Sequence, residues 1–241
     1  MRISVVIPAF NEERLLGETV RSVKTAVAAF SRRNWETELI VCDNNSTDHT
    51  AEVARAAGAT VVFEPVNQIA RARNRGAAAA SGDWLIFVDA DSHPSIELFA
   101  EVAGQITSGR CLAGGATVKL NGRYPKASMV TRLWNGLSRA LHWLAGSFIF
   151  CEAAAFRKIG GFSSELFASE EIDLSRRLKK LARAEQKKIV ILHRHPIVTS
   201  ARKVHLYTLR EHLRFLAKTI LARGRTLTDR SACHTWYDGR R

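Results

Sequence analysis

Trp84-Leu85-Ile86-Phe87-Val88-Asp89-Ala90-Asp91-Ser92 (WLIFVDADS) runs five apolar residues directly into two carboxylates separated by one alanine. An apolar run of this length, preceded by Gly82 and closed by a polar cluster, reads as a strand buried on both faces. Such strands belong to parallel sheets covered by helices, and ligands bind such sheets at the carboxyl ends of the strands. Asp89 and Asp91 sit where an extended chain loosens into a loop, so their oxygens can turn toward one shared cation. Mg²⁺ and Mn²⁺ take hard oxygen ligands of this kind and complete their shells with substrate phosphates. The competing reading has either Asp capping the next helix or pairing with an Arg.

The preceding residues repeat the pattern. Ile3–Ile7 is a β-branched strand closed by Pro8, after which Leu16, Val20, Val23, Val27 and Phe30 mark one helix face, with Asn11 as the expected N-cap. Glu38–Cys42 is a second strand; Ser46 or Thr47 is expected to cap a helix through Ala57, with Gly58 as its stop. Thr60–Phe63, a helix over Gln68–Ser81 and Trp84–Val88 complete the first half. Three polar strand ends, Pro8–Asn11, Asp43–Ser46 and Asp89–Asp91, then converge on one rim. Further on, the pattern predicts a helix near Ser95–Thr107, a strand Cys111–Leu120 and a helix over 126–145. Strand Ser147–Cys151, a turn at Gly160-Gly161-Phe162, helix Glu170–Leu181 and strand Lys188–Leu192 follow. The last expected helix runs from beyond Thr208 to about Ala222. The expected fold class is α/β, a single domain with a mostly parallel central sheet and helices on both faces.

Composition bounds the function classes. The chain has 241 residues, 46% of them hydrophobic, which is enough for one full core. Lys and Arg number 36 against 23 Asp and Glu, a net charge of +13 that attracts anions such as nucleotide phosphates, nucleic acid or an acidic membrane face. Cys42, Cys111, Cys151 and Cys233 are scattered without a CxxC pair, which argues against a zinc site or a disulfide framework and fits reduced cytosolic thiols. No segment approaches the roughly 20 apolar residues of a membrane span. These readings place the protein in the cytoplasm, with peripheral contact to an anionic membrane open to it.

Five stretches in order resemble the family-two glycosyltransferases, inverting enzymes of the GT-A fold: Val5–Glu13 (VVIPAFNEE), Cys42–Thr50 (CDNNSTDHT), Ala72–Ser92 (ARNRGAAAASGDWLIFVDADS), Ile159–Phe162 (IGGF) and Ser169–Leu178 (SEEIDLSRRL). The resemblance implies a nucleotide-binding half (1–92) and an acceptor-side half (93–200) within a domain of residues 1–222, followed by a basic tail (223–241). It implies that Pro8, Phe10 and Glu12 line a nucleotide pocket, that Asp43 binds the base, and that Arg73 lies near the base or diphosphate. Asp89 would face the ribose and metal, and Asp91 would hold a divalent ion, Mn²⁺ or Mg²⁺, against the diphosphate. The partners implied are a nucleoside-diphosphate sugar and a hydroxyl acceptor; nucleic acid is not expected.

Inversion by direct displacement needs a base opposite the leaving group. The motif places it at Glu171, where the family usually has Asp; Glu170 and Asp173 are the fallbacks, and Asp173 can instead pair with Arg176 or Arg177. A late metal-binding His is also common in GT-A enzymes. Here the middle of His193–His205 (HRHPIVTSARKVH) has none, so Ser200 falls near that place and Arg202 or Lys203 can meet the diphosphate; His193, His195 and His205 are the alternative ligands. The rival to an enzyme is a degenerate nucleotide-sugar-binding protein whose basic tail docks on anionic membrane or nucleic acid. A nucleotidyltransferase would need a Gly-rich basic loop after the first strand, which Pro8–Glu12 does not provide.

Overall fold

The computed structural model describes residues 1–202, 225–229 and Cys233. The helix expected between Thr208 and Ala222, and most of the basic tail, lie outside the described residues. The elements are β1 (Arg2–Ala9), α1 (Leu16–Ala26), α2 (Ala28–Ser31), β2 (Glu36–Asp43), α3 (Thr50–Ala56), β3 (Thr60–Phe63), α4 (Ile69–Ala79), β4 (Trp84–Val88), β5 (Ser92–His93), α5 (Ile96–Thr107), β6 (Cys111–Leu120), α6 (Pro125–Leu141), β7 (Phe148–Glu152), α7 (Ala153–Lys158), α8 (Glu170–Ala184) and β8 (Lys188–Thr199); a short 3₁₀ turn covers Arg225–Thr228. Eight strands form one sheet in the order β3-β2-β1-β4-β7-β6-β8-β5.

Strand alternation sorts the core into two layers. In β1, Ile3, Val5 and Ile7 face one side, where they meet Leu16, Val20 and Val23 of α1, Phe30 of α2 and Leu98, Phe99 and Val102 of α5. Val6 faces the other side, with Leu85 and Phe87 of β4, Ala70 and Ala77 of α4, Phe156 of α7 and Leu174 and Leu178 of α8. Both faces are therefore covered by helices, and the all-apolar β4 is the strand this arrangement requires. β3, β2, β1 and β4 pair in parallel, as do β6 and β8. β7 runs antiparallel to both β4 and β6, so the parallel block is interrupted once in the middle.

Several local expectations change. α1 begins only at Leu16, because Asn11 takes a positive φ of 52° and its side chain accepts a hydrogen bond from the Thr47 backbone N–H at 2.8 Å. Ser46 caps no helix either; its hydroxyl accepts the Asn11 N–H at 3.0 Å, and α3, with His49 at its N-cap position, has no side-chain cap, while the preceding Asp48 accepts the Thr50 N–H at 3.0 Å. The polar side chains near both strand ends thus join the two loops to each other. β8 continues past Leu192 to Thr199, with a register jump: Leu192 lies opposite Ala116, but Ile197 lies opposite Val118. Pro196, which has no N–H to give to the ladder, sits in that jump. All four cysteines are free and buried.

Gly114 marks where β6 is squeezed between β7 and β8. A Cβ there would stand 2.5 Å from the Phe150 ring and 2.6 Å from the Val190 carbonyl oxygen. Gly114→Ala is expected to lower stability by about 1–3 kcal/mol in urea unfolding, from overpacking.

Candidate active site

The chain runs outward from β1 to β2 and β3, then returns to the opposite side of β1 as β4. The carboxyl ends of β1 and β4 therefore flank a topological switch point, the place where an open α/β sheet forms a ligand crevice. Pro8–Glu12 and Asp89–Asp91 stand on its two sides.

The β1 and β2 ends are tied together before any ligand arrives. Pro8 is buried opposite Cys42, Phe10 is half-buried, and the Glu12 N–H donates to the Thr50 hydroxyl at 2.7 Å. Asp43 is buried, and one of its carboxylate oxygens accepts the Ser46 N–H at 3.2 Å. Beside it, Asn44 donates to the carbonyls of Glu64 and Val66 and accepts the Gln68 N–H at 2.9 Å. Gln68 in turn donates to the carbonyls of Ser164 and Leu166, so one amide pair carries order from β2 to the loop before α8.

At the β4 end, the Thr19 hydroxyl of α1 donates to the carbonyl of Ala90, holding the D-x-D turn from behind. Asp89 meets Arg73 of α4. The Arg73 guanidinium is 1% exposed, and its two terminal nitrogens reach Glu170 at 2.6 Å, Asp89 at 2.9 Å and the Gly146 carbonyl at 3.0 Å. It also lies 5.1 Å above the Phe162 ring, which belongs to the Gly-Gly-Phe turn. Burial alone would depress the Arg73 pKa, but Asp89, Glu170 and Glu171 outweigh it and raise it. Arg73 was expected near the base or diphosphate; in the structure its contacts are with two carboxylates, Glu170 and Asp89, and the Gly146 carbonyl.

Glu170 and Glu171 open α8, where anionic groups are favoured by the exposed N–H groups of the first turn. Glu170 takes the Arg73 contact and is buried. Glu171 makes no ion pair among the described residues; burial, and then the adjacent Glu170 carboxylate, push its pKa up to about 8. Asp173 points elsewhere: it pairs with Arg177 at 2.7 Å, while Arg177 also donates to the carbonyls of Ile159 and Gly161. Asp173 thus fastens α8 to the glycine turn, and Glu171 is the acidic-motif carboxylate left beside Arg73 and Asp89.

The third contribution comes from the end of β8. Arg202 grips Glu12 with both terminal nitrogens, at 2.9 and 2.6 Å, and one of them lies 3.8 Å from Asp91. The Glu12 hydrogen bond raises the Arg202 pKa against the effect of burial. The Ser200 N–H donates to the Asp91 carbonyl at 3.0 Å, and the Thr199 hydroxyl approaches the Asp91 carboxylate at 3.4 Å. Ser200 therefore does stand beside Asp91, with Arg202 next to it. His195 is bonded to Glu101 of α5 at 2.5 Å and His193 is exposed. Both lie within or before the register jump that precedes Ile197, back along β8 from Thr199; His205 and Lys203 lie outside the described residues.

Asp89 and Asp91 supply two hard-oxygen groups, and among the described residues no cluster of three or more His, Cys, Asp or Glu forms a metal cage. Two carboxylates with no third protein ligand suit Mg²⁺ or Mn²⁺ that takes its remaining ligands from phosphate and water. The donor chemistry fits such an ion, with Asp91 the better placed because Asp89 is held by Arg73.

The family model for glycosyl transferase family 2 matches residues 4–162. The chain belongs to that family. Among curated relatives of this glycosyl transferase family 2 chain, glucosyl-3-phosphoglycerate synthase from Mycolicibacterium smegmatis is 38% identical over 97 residues, 37% of this chain and 30% of the relative. Protein RfbJ from Shigella flexneri is 35% identical over 89 residues, 37% of this chain and 64% of the relative. The chain spans less than two thirds of the length of these relatives. Among solved structures, S. aureus TarS in complex with UDP-GlcNAc superposes with a TM-score of 0.65 at 22% identity, over 98% of this chain and 69% of that one. Glucosyl-3-phosphoglycerate synthase from Mycobacterium tuberculosis with Mn²⁺, UDP and phosphoglyceric acid gives 0.63 at 24%, over 93% and 78%. These likenesses establish the GT-A fold.

Three residues that brace this candidate site carried little sequence signal. Asn44 and Gln68 work through backbone groups far away in the chain, which no spacing reveals. The Glu12–Arg202 pair spans nearly the whole domain; only its basic character near the absent late His pointed to Arg202.

Arg73→Met is expected to leave Asp89 and Glu170 without their buried cation, at a cost of about 3–5 kcal/mol in unfolding experiments. Arg73→Lys should recover little, because a single ammonium cannot reach three acceptors in a fixed plane. For Glu171, the pKa is higher folded than unfolded, so its stabilising contribution is complete at low pH and fades as pH rises toward about 8. Glu171→Gln should therefore melt higher than wild type at about pH 9 and alike at about pH 4, below the ordinary Glu value of about 4.3.

Proposed function

We propose that this chain transfers a sugar from a nucleoside-diphosphate sugar to an acceptor hydroxyl with inversion at the anomeric carbon. The observation that carries this reading is the meeting of three groups at the switch-point crevice: the Asp89–Asp91 turn, Arg202, and a half-buried carboxylate, Glu171, whose proton affinity is matched to neutral pH. The nucleoside would lie along Pro8, Phe10, Glu12 and Asp43, and its diphosphate against Asp91 and Arg202.

In the reaction the acceptor oxygen attacks the anomeric carbon while its proton passes to a Glu171 carboxylate oxygen. The bond from that carbon to the diphosphate oxygen breaks, and its electron pair leaves with the nucleoside diphosphate. Charge grows on the leaving group at this stage, and Arg202 is a cation beside the Asp91 side of the site. Bound at Asp91 and Asp89, Mn²⁺ or Mg²⁺ would neutralise the same diphosphate charge. Arg73 keeps Asp89 and Glu170 fixed, and the paired charge of Glu170 keeps Glu171 basic enough to take a proton.

The test uses purified chain, Mn²⁺ and a panel of UDP- and GDP-sugars, read by nucleoside-diphosphate release and by thermal shift. Binding of at least one donor is expected. Asp91→Ala should weaken that binding, and Glu171→Gln should preserve binding but cut turnover by roughly 10²–10⁴-fold. Turnover should also rise with pH up to a limb near 8, far above the ordinary Glu value of about 4.3. Absence of donor binding across the panel, or an Asp91→Ala protein indistinguishable from wild type, would sink the reading.

A further inference from the structure

We infer that α6 is a docking helix for an anionic lipid surface. The helix is packed inside out. Of its 17 residues only Ser138 is buried, and its inward side is held by polar bonds: the Asn135 amide donates to the Val118 carbonyl at 2.8 Å and accepts the Val118 N–H at 2.9 Å. The Ser138 hydroxyl donates to the Trp143 carbonyl at 2.6 Å. The apolar residues point outward instead. Met129, Leu133, Leu137 and Leu141 follow one another every fourth position, one above the next on a single face, with Val130 beside them. Their exposures are 59%, 69%, 45% and 40%, and that of Val130 is 53%.

Charge identifies what covers this stripe. From Val102 to Cys151 the sequence contains no Asp or Glu and six Lys or Arg, four of which, Arg123, Lys126, Arg132 and Arg139, lie on or just before α6. A second copy of the helix would bring like charges together and is disfavoured. A bilayer with anionic headgroups answers both properties at once: it accepts the apolar stripe between acyl chains and neutralises the flanking cations. Trp134 and Trp143, half-buried with ring centroids 6.4 Å apart, sit at the inner margin of the same helix, where indoles suit a boundary between apolar and wet surroundings. Among the described residues no helix is long and apolar enough to cross a membrane, so the contact is one of lying on the surface. The inference is independent of the glycosyl-transfer reading, since the surface includes none of the crevice residues.

The experiment is co-sedimentation of the full chain with phosphatidylcholine vesicles, with and without phosphatidylglycerol, with no nucleotide sugar present. Binding is expected only when phosphatidylglycerol is included, and should weaken as salt is raised. The double variant Leu133→Asp/Leu137→Asp should bind at least roughly tenfold more weakly, with an unchanged unfolding midpoint and unchanged donor thermal shift. Lys126→Glu/Arg132→Glu should lose binding while keeping the apolar stripe. The inference is overturned by any of four results: no binding to either vesicle, wild-type binding by the Leu variant, a fall in its unfolding midpoint, or a concentration-dependent dimer that the Leu variant abolishes. The third would mean that the chain itself, residues 203–224 included, covers the face; the fourth, that a second copy does.

Discussion

The buried guanidinium of Arg73 is the constraint on which the site depends. A fully desolvated cation is costly unless it is matched by anions and hydrogen bonds, and here it is matched by Asp89 from the end of β4, Glu170 from the start of α8 and the Gly146 carbonyl before β7. Those partners come from segments far apart in the chain, so the ion pairs tie α4 to the end of β4, the start of α8 and the turn before β7. The same arrangement explains the state of Glu171. With Arg73 already occupied, a second carboxylate in the same turn of helix gains little from it, and burial beside Glu170 keeps the proton on.

A parallel logic operates across the crevice. Glu12 lies at the end of β1 and Arg202 just after β8, and their two-point contact closes the sheet's polar rim over Asp91. Each side of the rim thus carries one arginine against two carboxylates, Asp89 and Glu170 on one side and Glu12 and Asp91 on the other, so these groups leave the region formally negative. On the proposed reading, a diphosphate would have to draw Arg202 toward itself or bring a metal ion with it. That Ser200 and Arg202 occupy the ground beside Asp91, with His193 and His195 set back along β8, follows from the register jump that lengthens β8 to Thr199.

How much could be read from residues alone depends on the range of the interaction. β3, β4 and β6 follow directly from β-branched and apolar runs between turn residues, and the convergence of Asp43, Asp89 and Asp91 follows from the alternation of strands and helices. Capping fails as a local rule at Asn11, Ser46 and Thr47, because those side chains find partners in the neighbouring loop, which is adjacent only once β1 and β2 have paired. The antiparallel β7 and the small β5 depend on sheet order, which an apolar pattern does not encode. Arg73 and Glu12 stand out in the sequence, yet their contacts are set by partners that only the folded chain brings near: Glu170 for the one, Arg202 for the other. Asp173 shows the reverse case, in which an i,i+4 Arg is legible in sequence and is the partner found.

The amide of Asn135 has a consequence beyond holding α6. β6 is ten residues long, but β7 pairs with it only at Ala113–Gly115, so its later residues would present open backbone groups on the side away from β8. By taking both the N–H and the C=O of Val118, Asn135 stands in for a missing strand and stops that edge from recruiting one from another molecule. One side chain thereby protects the protein against edge-to-edge aggregation at a place where the sheet itself stops short.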